Sequence, residues 1–181
     1  MNLPNILTLS RIIMIPLMVA CFYLGEAGRI VAAILFSVAA ITDWFDGYLA
    51  RKWNQSTPLG AFLDPVADKL IVAVALVVLV EHYNTILISI PAGIIICREI
   101  LVSALREWMA EIGKRANVAV SMIGKVKTTF QMIAIIVLMG ADLHLWFVYL
   151  GYFAIYIASV LTIWSMIIYL KAALPDLLAK D

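Results

Sequence analysis

Four aspartates, Asp43, Asp46, Asp64 and Asp68, are carried by one stretch, TDWFDGYLARKWNQSTPLGAFLDPVADK, set between the apolar runs VAAILFSVAAI and LIVAVALVVLV. Ionised carboxylates accept hydrogen bonds, take up protons and ligate hard cations. On a helix Asp43, Asp46, Gly47 and Ala50 occupy i, i+3, i+4 and i+7, one face, and Gly60, Asp64 and Asp68 occupy i, i+4 and i+8, again nearly one face. If the two faces meet, four carboxylates converge beside small residues. Unpaired, they would repel one another and be forced toward protonation. Two divalent cations would neutralise them, and aspartate-only ligation favours Mg²⁺ or Mn²⁺ over Zn²⁺. Two such ions side by side stabilise in-line displacement at phosphorus. The spacing alone leaves two other readings open: an ion path or proton relay, and structural pairing with Lys69, Arg98 or Arg106.

The elements that hold these residues follow from composition. The chain has 181 residues, 65% hydrophobic and 14% charged, where a soluble domain averages roughly 45–50% and about 25%. So much apolar surface has no interior to hide in at this size, which makes the class all-α, polytopic membrane protein. The net charge of +1 identifies no partner, and no nucleic acid is expected. Cys21 and Cys97 lie in apolar runs and read as small packing residues, not a disulfide framework. Arg11 followed by IIMIPLMVACFYL resembles a signal peptide, but a single basic residue precedes the run, so a retained helix is expected.

Six segments are long enough to cross the hydrocarbon core, at about 5–24, 30–51, 59–81, 86–108, 120–140 and 146–170. Basic residues decide their orientation. Arg51, Lys52, Arg106, Lys114 and Arg115 follow the second and fourth spans, Lys171 and Lys180 lie at the end, and the alternate connections hold only Arg29. Both termini and both basic loops are therefore expected in the cytoplasm. At about 1.5 Å per residue, with the third helix starting near Pro58, the four aspartates fall roughly 7–15 Å inside the cytoplasmic face. The shared depth of two helices' carboxylates is the functional signal.

The pattern Asp43-x-x-Asp46-Gly47-x-x-Ala50-Arg51, eight residues, Gly60-x-x-x-Asp64-x-x-x-Asp68 resembles the signature of the CDP-alcohol phosphotransferases at every position. NLPNILTLSRI, REILVSALREWMAEIGKR and IGKVKTT are similar to bacterial members of that family whose acceptor is sn-glycerol 3-phosphate. The resemblance implies CDP-diacylglycerol with its acyl chains in the bilayer and its nucleotide in a cytoplasm-facing cavity. It further implies that the acceptor's 1-hydroxyl attacks the phosphorus attached to diacylglycerol and displaces CMP. By motif position Asp43, Asp46 and Asp64 would hold one metal and Asp46, Asp64 and Asp68 the second, with Asp68 also the general base. A homodimer is implied too.

The same resemblance assigns Asn5, Thr8, Gly47, Ala50, Arg51, Thr57 and Gly60 to the CDP-diacylglycerol side, although Gly47 could serve packing, Arg51 could snorkel, and Asn5 and Thr8 could cap a helix. A dianionic acceptor calls for cations, and Arg98, Arg106, Lys125 and Lys127 are the candidates. Their competing explanation is cytoplasmic charge bias or pairing with Glu99, Glu107 and Glu111. Lys69 is expected to snorkel or contact a neighbour, Trp44, Phe45 and Tyr48 to pack, Trp146 and Tyr149 to form an interface belt, and His82 and His144 to face solvent. Serine, inositol phosphate or phosphatidylglycerol are alternative acceptors. A divalent-cation transporter is the alternative of a different class, opposed by the apolar outer halves of the spans.

Overall fold

The computed structural model describes residues 3–53, 58–114, 122–140 and 145–178, and within them all side chains except those at 3–5, 43–53, 58–59, 61, 122–125 and 145. These residues form six helices and no strand: α1 Leu3–Phe22, α2 Glu26–Trp53, α3 Pro58–Tyr83, α4 Ile86–Glu111, α5 Met122–Gly140 and α6 Leu145–Leu177. Each matches one apolar segment of the sequence. The chain divides into two compact units, Met1–Tyr83 with Ile135–Gly151, and Asn84–Ala134 with Tyr152–Asp181.

In the first unit α1 packs on α2 and α3, and α2 touches α3. The α1–α2 turn is tight. Gly25 takes φ 90°, and a Cβ at Gly28 would stand 2.1 Å from the carbonyl oxygen of Cys21. Only glycine tolerates both demands. Glu26 then places a negative charge in the first turn of α2, where the helix dipole favours it. Ala32, Ala39, Ala67 and Ala75 are buried beside Met18, Phe22, Phe36, Leu76 and Leu79; small residues between large ones let helices approach closely. Pro58 opens α3, a position where its missing N–H is harmless. At the far end the Tyr83 hydroxyl donates to the Leu138 carbonyl at 2.9 Å. His82 is half-buried and meets the Phe22 ring edge-on at 5.3 Å. The solvent-facing position expected for it is thus corrected: the ring is packing material. His144 lies outside the described residues.

In the second unit Thr85 caps α4, its hydroxyl accepting from the Leu87 N–H at 3.4 Å. The helix ends on Gly113 with φ 74°, where the Gly113 N–H reaches Ala110 O at 3.1 Å and the Lys114 N–H reaches Met109 O at 2.8 Å. That pair of bonds closes off the last carbonyls. Val102, Leu105 and Met109 of α4 pack with Tyr169 and Ala173 of α6. Two expectations are corrected here. Helix α6 continues to Leu177, past the expected end near residue 170, because Ala173 is buried and Lys114 donates to Asp176 at 2.5 Å. Cys97 is exposed and so is not interior packing.

Among the described residues two helices, Ile86–Glu111 and Trp146–Leu177, are long and apolar enough to cross a membrane, each with mean hydropathy 2.0. Ile6–Phe22 and Val126–Gly140 are shorter apolar helices. Phe62, Ile100 and Phe153 are more than half exposed, an outward apolar surface that suits lipid rather than water. Trp146 and Tyr149 are exposed as well.

Candidate active site

Asp64 and Asp68 stand one turn apart on α3, both half-buried. From α1, the hydroxyl of fully buried Thr8 donates to Asp64 Oδ1 at 2.5 Å. Two residues that the resemblance assigns to the site, 56 positions apart, are thus joined directly. A hydroxyl donor fixes one carboxylate oxygen, holding the side chain in one rotamer and leaving the other oxygen for a ligand. Gly60, one turn before Asp64, is buried. Arg11, one turn after Thr8 on α1, is only 1% exposed. In the sequence that arginine was read only as the basic residue before an apolar run, although the i, i+3 spacing from Thr8 and its place within an apolar helix both marked it.

The remaining acidic residues, Asp43 and Asp46, belong to the α2 stretch whose side chains lie outside the described residues, as do Gly47, Ala50 and Arg51. Asn5, Thr57 and Lys125 lie outside as well. Among the described residues no three His, Cys, Asp or Glu side chains gather to hold a metal ion. What the described part offers is two carboxylates on one helix face, all-oxygen donors. That donor chemistry suits a hard divalent cation such as Mg²⁺ or Mn²⁺.

The second unit holds the cations. Arg98 is 6% exposed and Lys127 2%, with Arg106 half-buried two turns beyond Arg98 on α4. Arg98 Nη1 donates to Glu99 Oε1 at 2.9 Å and Nη2 to the Ser165 hydroxyl at 3.1 Å. Lys127 on α5 donates to the same Glu99 oxygen. Arg106 Nη2 donates to the Tyr169 hydroxyl at 2.9 Å, and the Tyr169 ring lies 4.9 Å from the Arg106 guanidinium and 5.7 Å from that of Arg98. One aromatic residue therefore braces both arginines through cation–π contact. The expectation that Arg98 and Arg106 share a side of α4 agrees with this, as does the placing of Lys127 from α5 at the same cluster. Glu99, anticipated as a competing partner, does pair with Arg98 and Lys127. The described hydrogen bonds of Arg98 and Arg106 go to Glu99, Ser165 and Tyr169.

Yet the cluster is not saturated. Among the described residues, the Nε atoms of Arg98 and Arg106 are buried without a hydrogen-bond partner, and a buried donor left in that state is costly. Guanidinium forks with spare donors have the chemistry to accept a phosphate or carboxylate. Tyr169 and Ser165 had no local signal in the sequence. Both sit inside an apolar run on α6 and join the site only through tertiary packing.

Comparison with known proteins gives the context. The family model described as CDP-alcohol phosphatidyltransferase matches residues 1–171. A relative from Salmonella choleraesuis (strain SC-B67), named CDP-diacylglycerol--glycerol-3-phosphate 3-phosphatidyltransferase, is 57% identical over 178 residues, covering 98% of this chain and 97% of its own. Relatives of the same name from Shigella flexneri and from Escherichia coli (strain K12) are each 56% identical over the same coverage.

Proposed function

The chain belongs to the CDP-alcohol phosphatidyltransferase family, and from that premise we propose that it transfers the phosphatidyl group of CDP-diacylglycerol to the 1-hydroxyl of sn-glycerol 3-phosphate. The observation that carries the reading is the identity of 56–57% over nearly the whole chain to relatives named for that reaction. The site geometry supports it from two directions: a hydroxyl-braced acidic pair on α3, and a cation cluster with spare buried donors.

The chemistry then divides among the residues. The acceptor's 1-hydroxyl oxygen forms a new bond to the phosphorus attached to diacylglycerol, while the bond from that phosphorus to the CMP oxygen breaks. Asp68 takes the hydroxyl proton, as a carboxylate within reach of an incoming alcohol can. Asp43, Asp46, Asp64 and Asp68 would hold two divalent cations, Mg²⁺ or Mn²⁺, which when bound would offset charge on the pyrophosphate and the CMP leaving group. Thr8 keeps Asp64 in its ligating rotamer. Gly60, with Asn5, Gly47, Ala50, Arg51 and Thr57, serves the nucleotide. Arg98, Arg106, Lys125 and Lys127 hold the acceptor's phosphate, and Tyr169 keeps the two arginines facing it. The products are phosphatidylglycerophosphate and CMP.

All six helices cross the inner membrane in this reading, with both termini and the active site on the cytoplasmic side. Water-soluble acceptor and CMP then reach the site while the lipid stays in its leaflet. The protein acts as a homodimer. The test is CMP release by purified protein in detergent with CDP-diacylglycerol and Mg²⁺, offering sn-glycerol 3-phosphate, serine, inositol phosphate and phosphatidylglycerol separately. Release with glycerol 3-phosphate alone, abolished by EDTA, is expected. Release with a different acceptor keeps the reaction class and refutes the acceptor. No release from folded protein refutes the enzyme reading.

A further inference from the structure

Glu99 is the anion within a cluster of cations. Its Oε1 accepts from Arg98 and from Lys127, whose side chains are 7% and 2% exposed, whereas the Glu99 side chain is 27% exposed. The carboxylate is therefore the member of the group with a way out toward the surface, and the two cations are the members that stay. Among the described side chains of the cluster the cations Arg98, Arg106 and Lys127 outnumber the single anion Glu99, so the charge of Glu99 alone leaves the cluster net positive and open to an anion of higher charge. One carboxylate oxygen serves Arg98 and Lys127, but the Nε atoms of Arg98 and Arg106 stay unserved.

We infer that Glu99 is a resident counter-anion which the acceptor's phosphate must displace from Arg98 and Lys127, and that this exchange sets the acceptor site's affinity and its selectivity for dianions. The inference rests on the reading of these cations as the acceptor's phosphate ligands. Buried cations without an anion are strongly destabilising, so a carboxylate held in place keeps the empty site folded. A monoanionic ligand that replaces Glu99 exchanges one negative charge for another and gains little. A dianion with three acceptor oxygens brings a second charge and reaches donors that Glu99 leaves unserved. Selectivity of this kind comes from a competing internal group rather than from added contacts to the ligand. Glu99 touches neither the reacting phosphorus nor the attacking oxygen in this scheme; it is a positioning residue.

The experiment uses the full chain in detergent and compares the wild type with Glu99→Gln and Glu99→Asp. Glu99→Gln keeps the shape and removes the charge. It is expected to lower the KM for glycerol 3-phosphate, and the inhibition constant for inorganic phosphate, by at least about threefold, because the internal competitor is gone. The KM for CDP-diacylglycerol should stay within about twofold. Its Tm should fall without phosphate and rise more than that of the wild type when phosphate is added, since the ligand now supplies the missing anion. Glu99→Asp, which keeps the charge, should behave like the wild type. An unchanged or raised KM in Glu99→Gln, with a Tm that ignores phosphate, overturns the inference and leaves Glu99 a fold-supporting partner only. A wild-type arm needs no variant. Inorganic phosphate should compete with glycerol 3-phosphate, while the monoanion dimethyl phosphate should not at about tenfold higher concentration, and equal competition by the two overturns the exchange. Wild-type protein that releases no CMP with glycerol 3-phosphate would instead refute the acceptor assignment itself, which separates the two failures.

Discussion

The acidic region of α3 and the basic cluster of α4, α5 and α6 solve opposite electrostatic problems. Asp64 takes a hydrogen bond from a neutral hydroxyl, Thr8, which orients the carboxylate without cancelling its charge. Lys127 and Arg98 are instead held by a carboxylate that cancels charge directly. In the proposed reading an acidic set that takes up metal ions gains from staying anionic, since the cations would provide the neutralisation on binding. In the same reading a basic set for a ligand that comes and goes must remain folded between turnovers, which an internal anion would secure. The two regions thus differ in what holds them: a neutral hydroxyl at Asp64, an opposite charge at Arg98 and Lys127.

The largest effect should come from the acidic side. Asp68→Asn removes a proton acceptor and a ligand together, and kcat is expected to fall by about a thousandfold or more. CMP release in a stopped assay checks this, and a normally active variant would break the assignment of Asp68 as base. On the basic side, Lys127→Met deletes one charge-assisted contact worth about 1.5–3 kcal/mol. The KM for glycerol 3-phosphate should rise about tenfold to a hundredfold, with the KM for CDP-diacylglycerol unchanged. Initial rates with each substrate varied in turn measure it. Thr8→Val leaves Asp64 without its donor and should lower activity by about tenfold, equivalent to about 1.4 kcal/mol, an effect that saturating Mg²⁺ should partly restore. Tyr169→Phe keeps the ring against both arginines and removes only the hydroxyl that Arg106 bonds, so a KM increase of about threefold to fivefold is expected. Tyr169→Leu, which also removes the ring, should cost more than Tyr169→Phe. An equal cost in the two variants would mean that the cation–π brace contributes nothing.

The two regions also differ in how far the sequence disclosed them. The face shared by Asp64 and Asp68 was legible because a helix converts spacing directly into a face, Thr8 was suggested by resemblance, and the side chains of Asp43 and Asp46 lie outside the described residues. Arg98, Arg106 and Lys127 were legible as charges in apolar helices, which are expensive unless used. Their bracing was not legible. Tyr169 and Ser165 lie within LTIWSMIIYLK, where tyrosine and serine look like ordinary members of an apolar helix, and only packing against α4 gives them roles. All six helices were anticipated, but the end of α6 was not. Pro175 and the charges near it imitate a tail, whereas the pairing of Asp176 with Lys114 and the burial of Ala173 are tertiary facts. His82 failed for the same reason: a polar ring near a helix end reads as solvated until Phe22 is seen against it.

The central claim is that the acidic region performs the transfer and the basic cluster holds the acceptor's phosphate. Equilibrium binding of labelled sn-glycerol 3-phosphate to Asp68→Asn and to Lys127→Met, each shown to be folded, tests that division most directly. The account predicts that Asp68→Asn binds the acceptor within about threefold of the wild type while turning over none of it, and that Lys127→Met loses about tenfold or more in affinity. Full acceptor affinity in Lys127→Met, or its loss in Asp68→Asn, would contradict the account.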